Sequence, residues 1–323
     1  MEKRNIPGTD LDASIGGMGC WAMGGKYWGT DITDADSEAA VQEALAVGIN
    51  FFATAPLYGE GPADEVLTRA LGSRRHDVIL ATKVGVRAHG STGHAESDLS
   101  PEHVREDTEA SLRRLQIDTI PLLQIHWPCQ LGTPIEATME ALMTLREEGK
   151  VRHIAACNYN ADGLRELKQH GPIATMQTPV SMLRSRLDQP LLEACDQPDA
   201  REGAATGIIG YEPLCRGLLT GKHRTLKTFS PEDVRAKDDW FKPPRFFRVQ
   251  ELLAMLDRVQ AKVNIPLAPL AIAWTAGQPG VVCTIAGAKR PAQIQENARA
   301  VEVLANPRLA SVLDALVQRF PKL

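Results

Sequence analysis

The sequence predicts an α/β fold: one closed (β/α)8 TIM barrel over residues 1–323, with a small hairpin ahead of it and an extra helix at its end. Three observations predict it. Eight short apolar runs of strand length recur along the chain. Amphipathic segments of helical length separate most of them, and that alternation implies a parallel sheet with right-handed crossovers. Eight such units in about 300 residues suit a closed barrel better than an open sheet. An open, doubly wound sheet is further disfavoured by GGMGCWAMGG, Gly16 to Gly25, which lacks GxGxxG spacing and opens no obvious helix.

The elements follow in order. The residues before Gly16 are too few for a ninth unit and are expected to form a hairpin closing the barrel bottom. The strands are expected near Gly16–Ala22, Asn50–Ala53, Val78–Thr82, Ile120–Ile125, His153–Ala156, Ala174–Gln177, Gly207–Tyr211 and Val281–Ile285. Asp36–Val47 brings Ala40, Val41, Ala44 and Val47 near one helical face, with Gly48 at the C′ position. Ser100 and Pro101 read as N-cap and N1 of a helix carrying Val104, Leu112 and Leu115. Thr133 and Pro134 are expected to open the next in the same way, running to Glu148 and stopping at Gly149. Pro213–Arg248 is the longest stretch without clear periodicity, and long loops in compact domains are usually functional or mobile. Asn306–Phe320 reads as the extra helix.

Composition narrows the function classes. Hydrophobic residues make up 43% of the chain, enough for a sizeable core, and 36 basic against 40 acidic side chains leave a formal charge of −4. No basic excess suggests nucleic acid, although local clusters remain open. MEKRNIPGTD carries charge without an apolar core and does not read as a secretory signal. No apolar run approaches the roughly 18 residues of a membrane span. Six scattered cysteines never form CxxC, so neither a zinc site nor a disulfide framework is expected, and a reduced cytoplasmic setting is the default.

In a barrel of this kind the reactive groups sit just after the strands. By that rule Cys20 and Trp21 follow the first strand, Ala53 and Tyr58 the second, and Lys83 ends the third. His126 and Trp127 end the fourth, Cys157 and Asn158 the fifth, Gln177 the sixth and Tyr211 the seventh. Gly287 to Arg290 follows the eighth. Taken singly, a tyrosine on a loop is more often packing, a lysine at a strand end is usually solvated, and a histidine beside a tryptophan suits a core. Placed together on one rim, Tyr58, Lys83 and His126 suit carbonyl reduction. A phenol titrating near 10 gives up its proton more easily beside an ammonium, and a histidine can orient the carbonyl oxygen. The developing alkoxide would meet preorganised donors, while the hydride must come from a cofactor.

Other rim residues suit that cofactor. Asn158 and Gln177 offer amides for a carboxamide, and Tyr211 offers a ring for stacking. Arg216 to Lys222, RGLLTGK, offers backbone amides and a cation for a pyrophosphate. Lys289 and Arg290 at a helix start suit a further phosphate, although a solvated basic cap would look the same in isolation. Trp21, Trp28, Tyr58 and Trp127 are expected to wall a substrate pocket, with Trp28 alone reading equally as a packed rim residue. FKPPRFF, Phe241 to Phe247, reads as a local packing cluster, with a lid or an oligomer contact as alternatives.

With these residues in place, the chain resembles the aldo-keto reductase family from about Arg4 to Val303. The blocks, in order, are NFFATAPLYG from Asn50, ILATKVG from Ile79, LLQIHWP from Leu122, AACNYN from Ala155, YEPLCRGLLTGK from Tyr211 and IAGAKRPAQIQENA from Ile285. The bacterial-type subgroup is the nearest. The resemblance implies an NADP(H) cofactor bound extended without a Rossmann fold, and Tyr58 as general acid assisted by Lys83 and His126. It implies a cofactor set of Trp21, Asn158, Gln177, Tyr211, Gly217, Leu219, Lys222, Gly287, Lys289, Gln293, Glu296 and Asn297, with Lys289, Gln293 and Asn297 around the 2′-phosphate. The implied partner is a small carbonyl compound or alcohol; a homo-oligomer is compatible, and no metal is implied. Two positions depart from the pattern. Cys157 stands where a serine is common, a mild change. Ala53 stands where the family has the aspartate of an Asp–Tyr–Lys–His tetrad, which would pair with Lys83. Activity is therefore expected to be reduced. A deliberate substitution is weighed slightly ahead of a natural variant. The alternatives carried forward are the reverse oxidation, an NDP-sugar or natural-product ketoreductase, and a non-catalytic NADPH-binding sensor subunit.

Overall fold

The computed structural model describes residues 1–23, 28, 32–89, 94–184 and 187–320, apart from the side chains of residues 60, 88, 89 and 94. Gly24 and Gly25 of the glycine-rich stretch, and the residues on either side of Trp28, lie outside the described residues.

The hairpin is β1 (Lys3–Asn5) paired antiparallel with β2 (Asp12–Ser14). It closes the strand-entry end of the barrel: Arg4 Nη1 donates to the carbonyls of Ala276 and Val281 at 2.7 Å each, and Asn50 Oδ1 accepts from Ser14 N at 2.7 Å. The barrel strands are β3 (Gly16–Gly19), β4 (Phe51–Ala53), β5 (Ile79–Val84), β8 (Ile120–Ile125), β9 (Val151–Cys157), β10 (Thr175–Pro179), β11 (Gly207–Tyr211) and β12 (Val281–Gly287). They form a closed parallel ring with β12 beside β3. Between β5 and β8 a second hairpin, β6 (Val86–His89) with β7 (His94–Ser97), stands at the rim; no sequence signal marked it.

The helices are α1 (Asp34–Ala46), α2 (Pro62–Leu71), α3 (Pro101–Leu115), α4 (Ile135–Glu147), α5 (Ala161–His170), α6 (Gln189–Asp196), α7 (Arg245–Val263), α8 (Leu267–Ala276), α9 (Pro291–Ala298), α10 (Ala300–Leu304) and α11 (Pro307–Arg319). Local chemistry sets their starts. Ser100 caps α3 through its hydroxyl, and Asn306 caps the C-terminal α11. Helix α1 begins two residues before Asp36, because Thr33 and Asp36 form a reciprocal capping box. Helix α4 begins one residue late: Pro134 is its N-cap, and its carbonyl accepts from Thr138 N at 3.2 Å with no side-chain cap. The first strand stops at Gly19, not Ala22, because Cys20 to Met23 close a turn. The aperiodic stretch after β11 contains three 3₁₀ turns and the start of α7. Trp240, Phe241 and Phe246 are buried in the core beneath it, and of the three phenylalanines of FKPPRFF only Phe247 is largely exposed.

Alternation along each strand decides which side chains reach the site. Phe51, Ala53, Ile79, Ala81, Leu122, Ala155, Ile209, Cys283 and Ile285 fill the barrel interior. The two-residue period carries the same inward face up to Lys83, His126, Cys157 and Tyr211 at the strand ends. Among the described residues no helix is long and apolar enough to cross a membrane.

Candidate active site

At the ends of the barrel strands lies a cavity of about 590 Å³. Ala53, Tyr58, Lys83, His126, Trp21, Trp28, Trp127, Asn158, Gln177, Tyr211, Gly217, Lys222, Gly287, Lys289 and Gln293 all line it. Three expected residues do not. The Leu219 side chain is fully buried in the neighbouring core, and its amide donates to Leu214 O. Glu296 is exposed and Asn297 half-buried on α9, away from the cavity.

Tyr58 lies in a short turn after β4, and its backbone N–H bonds Ala55 O. Lys83 is 1% exposed. Its Nζ donates to Tyr58 Oη at 3.2 Å and to Thr54 O at 2.9 Å, and lies 4.9 Å from the tyrosine ring centroid. His126 stands edge-on to Tyr58, centroids 6.3 Å apart, and stacks on Trp127 at 4.4 Å. Trp21 stacks on Tyr58 at 6.2 Å and meets Trp28 edge-on at 5.1 Å. The three catalytic candidates and the aromatic wall therefore share one chamber.

Burial dominates its electrostatics. It pushes the Lys83 ammonium down, opposed by Cys157, Cys20 and Asp64. It raises the Tyr58 phenol, with smaller rises from Cys157, Cys20, Glu212 and Asp64. The phenol is therefore raised, not lowered as the neighbouring lysine led one to expect, and Tyr58 stands as a protonated donor. Burial first, then the Lys83 charge, hold His126 well below the usual imidazole range, so it is neutral and can donate one hydrogen bond.

The cofactor-side residues divide by whether their polar atoms are already used. Asn158, at a positive φ of 66°, donates from Nδ2 to His126 O at 3.1 Å, and its Oδ1 accepts from Tyr211 Oη at 2.8 Å. Gln177 Oε1 is buried without a hydrogen-bond partner, an acceptor ready for a carboxamide N–H. The RGLLTGK amides of Gly217, Leu219 and Gly221 are spent on carbonyls within the loop. Gly217 matters for closeness: its φ is +91°, and a Cβ there would come within 2.7 Å of Lys222 Cε. Lys289 Nζ donates to Trp28 O at 2.9 Å, and Lys289 N donates to Gln293 Oε1 at 2.7 Å. The orphaned Gln177 carbonyl and the cations at the α9 start fit a nicotinamide dinucleotide.

Sequence reasoning named Arg216 only as the start of RGLLTGK and missed its ion pairs and several residues around it. Arg184 and Arg216 pair with Glu212 and Asp238 at 2.9–3.6 Å, binding the long connection after β11 to the chamber wall. The Arg216 guanidinium lies 5.7 Å from the Trp21 ring centroid. Arg235 and Lys237 line the cavity from the same connection. Asp64 was missed as well. Its sequence setting, an acid in the first turn of a proline-started helix, is too common to signal anything.

A parallel eight-stranded barrel with a deep chamber of Tyr, Lys and His at its strand ends belongs to the class of barrel enzymes. The sequence model of the Aldo/keto reductase family matches residues 17–317. The chain is 34% identical over 299 residues to Aldo-keto reductase YhdN of Bacillus subtilis, covering 91% of this chain and 87% of that one. It is 33% identical over 317 residues to the NADH-specific methylglyoxal reductase of Escherichia coli, covering 94% of each. Among solved structures it resembles the glycerol dehydrogenase AKR11B4 from Gluconobacter oxydans, with TM-score 0.86 and 29% identity over 99% of this chain and 96% of that one. The chain belongs to the aldo/keto reductase family and is an oxidoreductase acting on carbonyl or alcohol groups.

Proposed function

We propose that the protein, acting as one domain over residues 1–323, reduces an aldehyde or ketone with NADPH, or runs the reverse oxidation, with Tyr58 as general acid. The observation carrying this reading is the Lys83 Nζ to Tyr58 Oη hydrogen bond of 3.2 Å inside the aromatic chamber. The bound nicotinamide supplies the hydride. Tyr58, held protonated by burial, gives its proton to the developing alkoxide. Neutral His126 donates a hydrogen bond to the same oxygen and orients it. Lys83 stabilises the phenolate left behind, which it can do only while it is an ammonium. Trp21, Trp28 and Trp127 exclude water and take the apolar body of the substrate.

Lys289 at the head of α9 supports NADPH over NADH, although the Escherichia coli relative is named NADH-specific. The cysteines form no disulfide, which suits a reduced cytoplasmic setting. Ala53 favours a second reading, a cofactor-binding subunit without turnover.

The test follows NADPH consumption with a panel of aldehydes and ketones, in the protein and in Tyr58→Phe. Turnover by the first and a loss of about 10²-fold or more in the second is expected. NADPH binding without turnover, in both the protein and Ala53→Asp, would support the sensor reading instead. No binding of either nicotinamide cofactor would end both.

A further inference from the structure

Lys83 has no carboxylate on the adjoining strand, yet it is nearly fully buried. Its Nζ donates to the carbonyl of Thr54, the residue after Ala53. The hydroxyl of that same Thr54 donates to Asp64 Oδ1 at 2.6 Å. The other oxygen, Asp64 Oδ2, accepts from Arg114 Nε at 3.1 Å. Asp64 itself is 0% exposed, on the first turn of α2. Two donors on separate oxygens are what a buried carboxylate needs to stay charged. One threonine thus links the lysine to an anion on the layer behind the strands.

We propose that Asp64 is a positioning residue for the reaction: through Thr54 it holds Lys83 against Tyr58, and it supplies the negative charge that Ala53 does not. It touches neither substrate nor cofactor. Its influence on Lys83 is electrostatic and through the shared threonine. Cys20, Cys157, Tyr58 and His126 also face Lys83; burial raises the Cys20 thiol and the Tyr58 phenol and lowers the His126 imidazole, so these three are neutral near neutral pH. Burial raises the Asp64 carboxyl, and the hydrogen bonds from Thr54 and from Arg114 of α3 oppose that rise and favour its charged form; Asp107 of α3 also bears on it. Asp64 is the carboxylate that bears on Lys83, whereas Glu212, which lines the cavity, is paired with Arg184 and Arg216. The inference rests on the catalytic reading of Tyr58 and Lys83 for its kinetic consequence, but not for the lysine titration.

The test is made on the full-length protein, as it stands and as Asp64→Asn, Ala53→Asp and Ala53→Asp/Asp64→Asn. Lysine labelled at Cε is followed by NMR as pH rises, without cofactor, and the basic limb of kcat/KM is recorded with NADPH. Asp64→Asn should shift the Lys83 titration and the basic limb down by about one pH unit. Both shifts should shrink when Ala53→Asp returns a carboxylate beside Lys83. A lower Tm with an unmoved lysine titration would overturn the proposal and make Asp64 a structural residue. If Asp64→Asn does not fold, the double variant decides: a folded protein with the parent Lys83 titration upholds the proposal, and an unfolded or unrestored one overturns it. Absence of NADPH turnover in every protein would sink the catalytic reading while leaving the lysine titration to decide this one.

Discussion

Replacing Ala53 by aspartate tests the chamber most directly. Ala53 ends β4, is 1% exposed, faces the barrel interior and pairs in register with Ala81, two residues before Lys83. A carboxylate there would stand about 4 Å from the ammonium, where an effective dielectric of about 20 gives about 4 kcal/mol of attraction. Desolvating the carboxylate costs several kcal/mol in return, so little net stability is expected. The kinetic consequence is larger, because the charge raises the Lys83 pKa and keeps the ammonium that stabilises the departing phenolate. About 10²-fold in kcat is expected, roughly 2.7 kcal/mol of barrier. The assay is steady-state NADPH oxidation with one reactive aldehyde, from pH 6 to 10, on both proteins at matched folding by Tm. The gain should grow as pH rises, because the parent Lys83, lowered by burial, loses its proton first. An equal or lower kcat in the variant at every pH, with cofactor binding intact, would refute the role assigned to position 53.

Three further outcomes follow. Lys83→Met removes a buried charge at the expense of catalysis: kcat falls about 10²- to 10⁴-fold while stability at pH 7 rises by about 1–4 kcal/mol, measured by kinetics and by denaturant. The folded pKa of Lys83 lies below its unfolded value, so protonating it opposes folding. The gain from Lys83→Met is therefore full below the folded pKa and vanishes as pH passes the unfolded one; a gain growing toward high pH would contradict this. Lys289→Ala should weaken NADPH by about tenfold or more and NADH little, by fluorescence titration, because a charge-assisted bond contributes about 1.5–3 kcal/mol; equal losses would place the phosphate elsewhere. Thr33→Ala removes the reciprocal cap of α1 and should cost about 1 kcal/mol in a urea melt without changing kcat.

The sequence by itself determined the barrel and most of the rim. Apolar runs and their spacing identify β-strands, and alternation within a strand decides which side chains point inward, both properties of consecutive residues. Tyr58, Lys83, His126, Asn158, Gln177 and Tyr211 were readable for that reason, since each follows a strand or lies in its last residues. Register carried less. The four-residue β3, the late start of α4 and the hairpin of β6 and β7 depend on which turn and ladder hydrogen bonds form, and the hairpin is tied at its end by Ser97 Oγ to the distant Trp127 O. Only the tertiary structure decided which polar atoms are spent. Asn158 is already committed to His126 and Tyr211, the RGLLTGK amides to their own loop, and Gln177 Oε1 to nothing. It also decided the sign at Tyr58, whose phenol burial raises. Asp64 and Arg114 stand 50 positions apart and meet only because α2 and α3 pack side by side. Charge and desolvation act through space, so no local pattern encodes them.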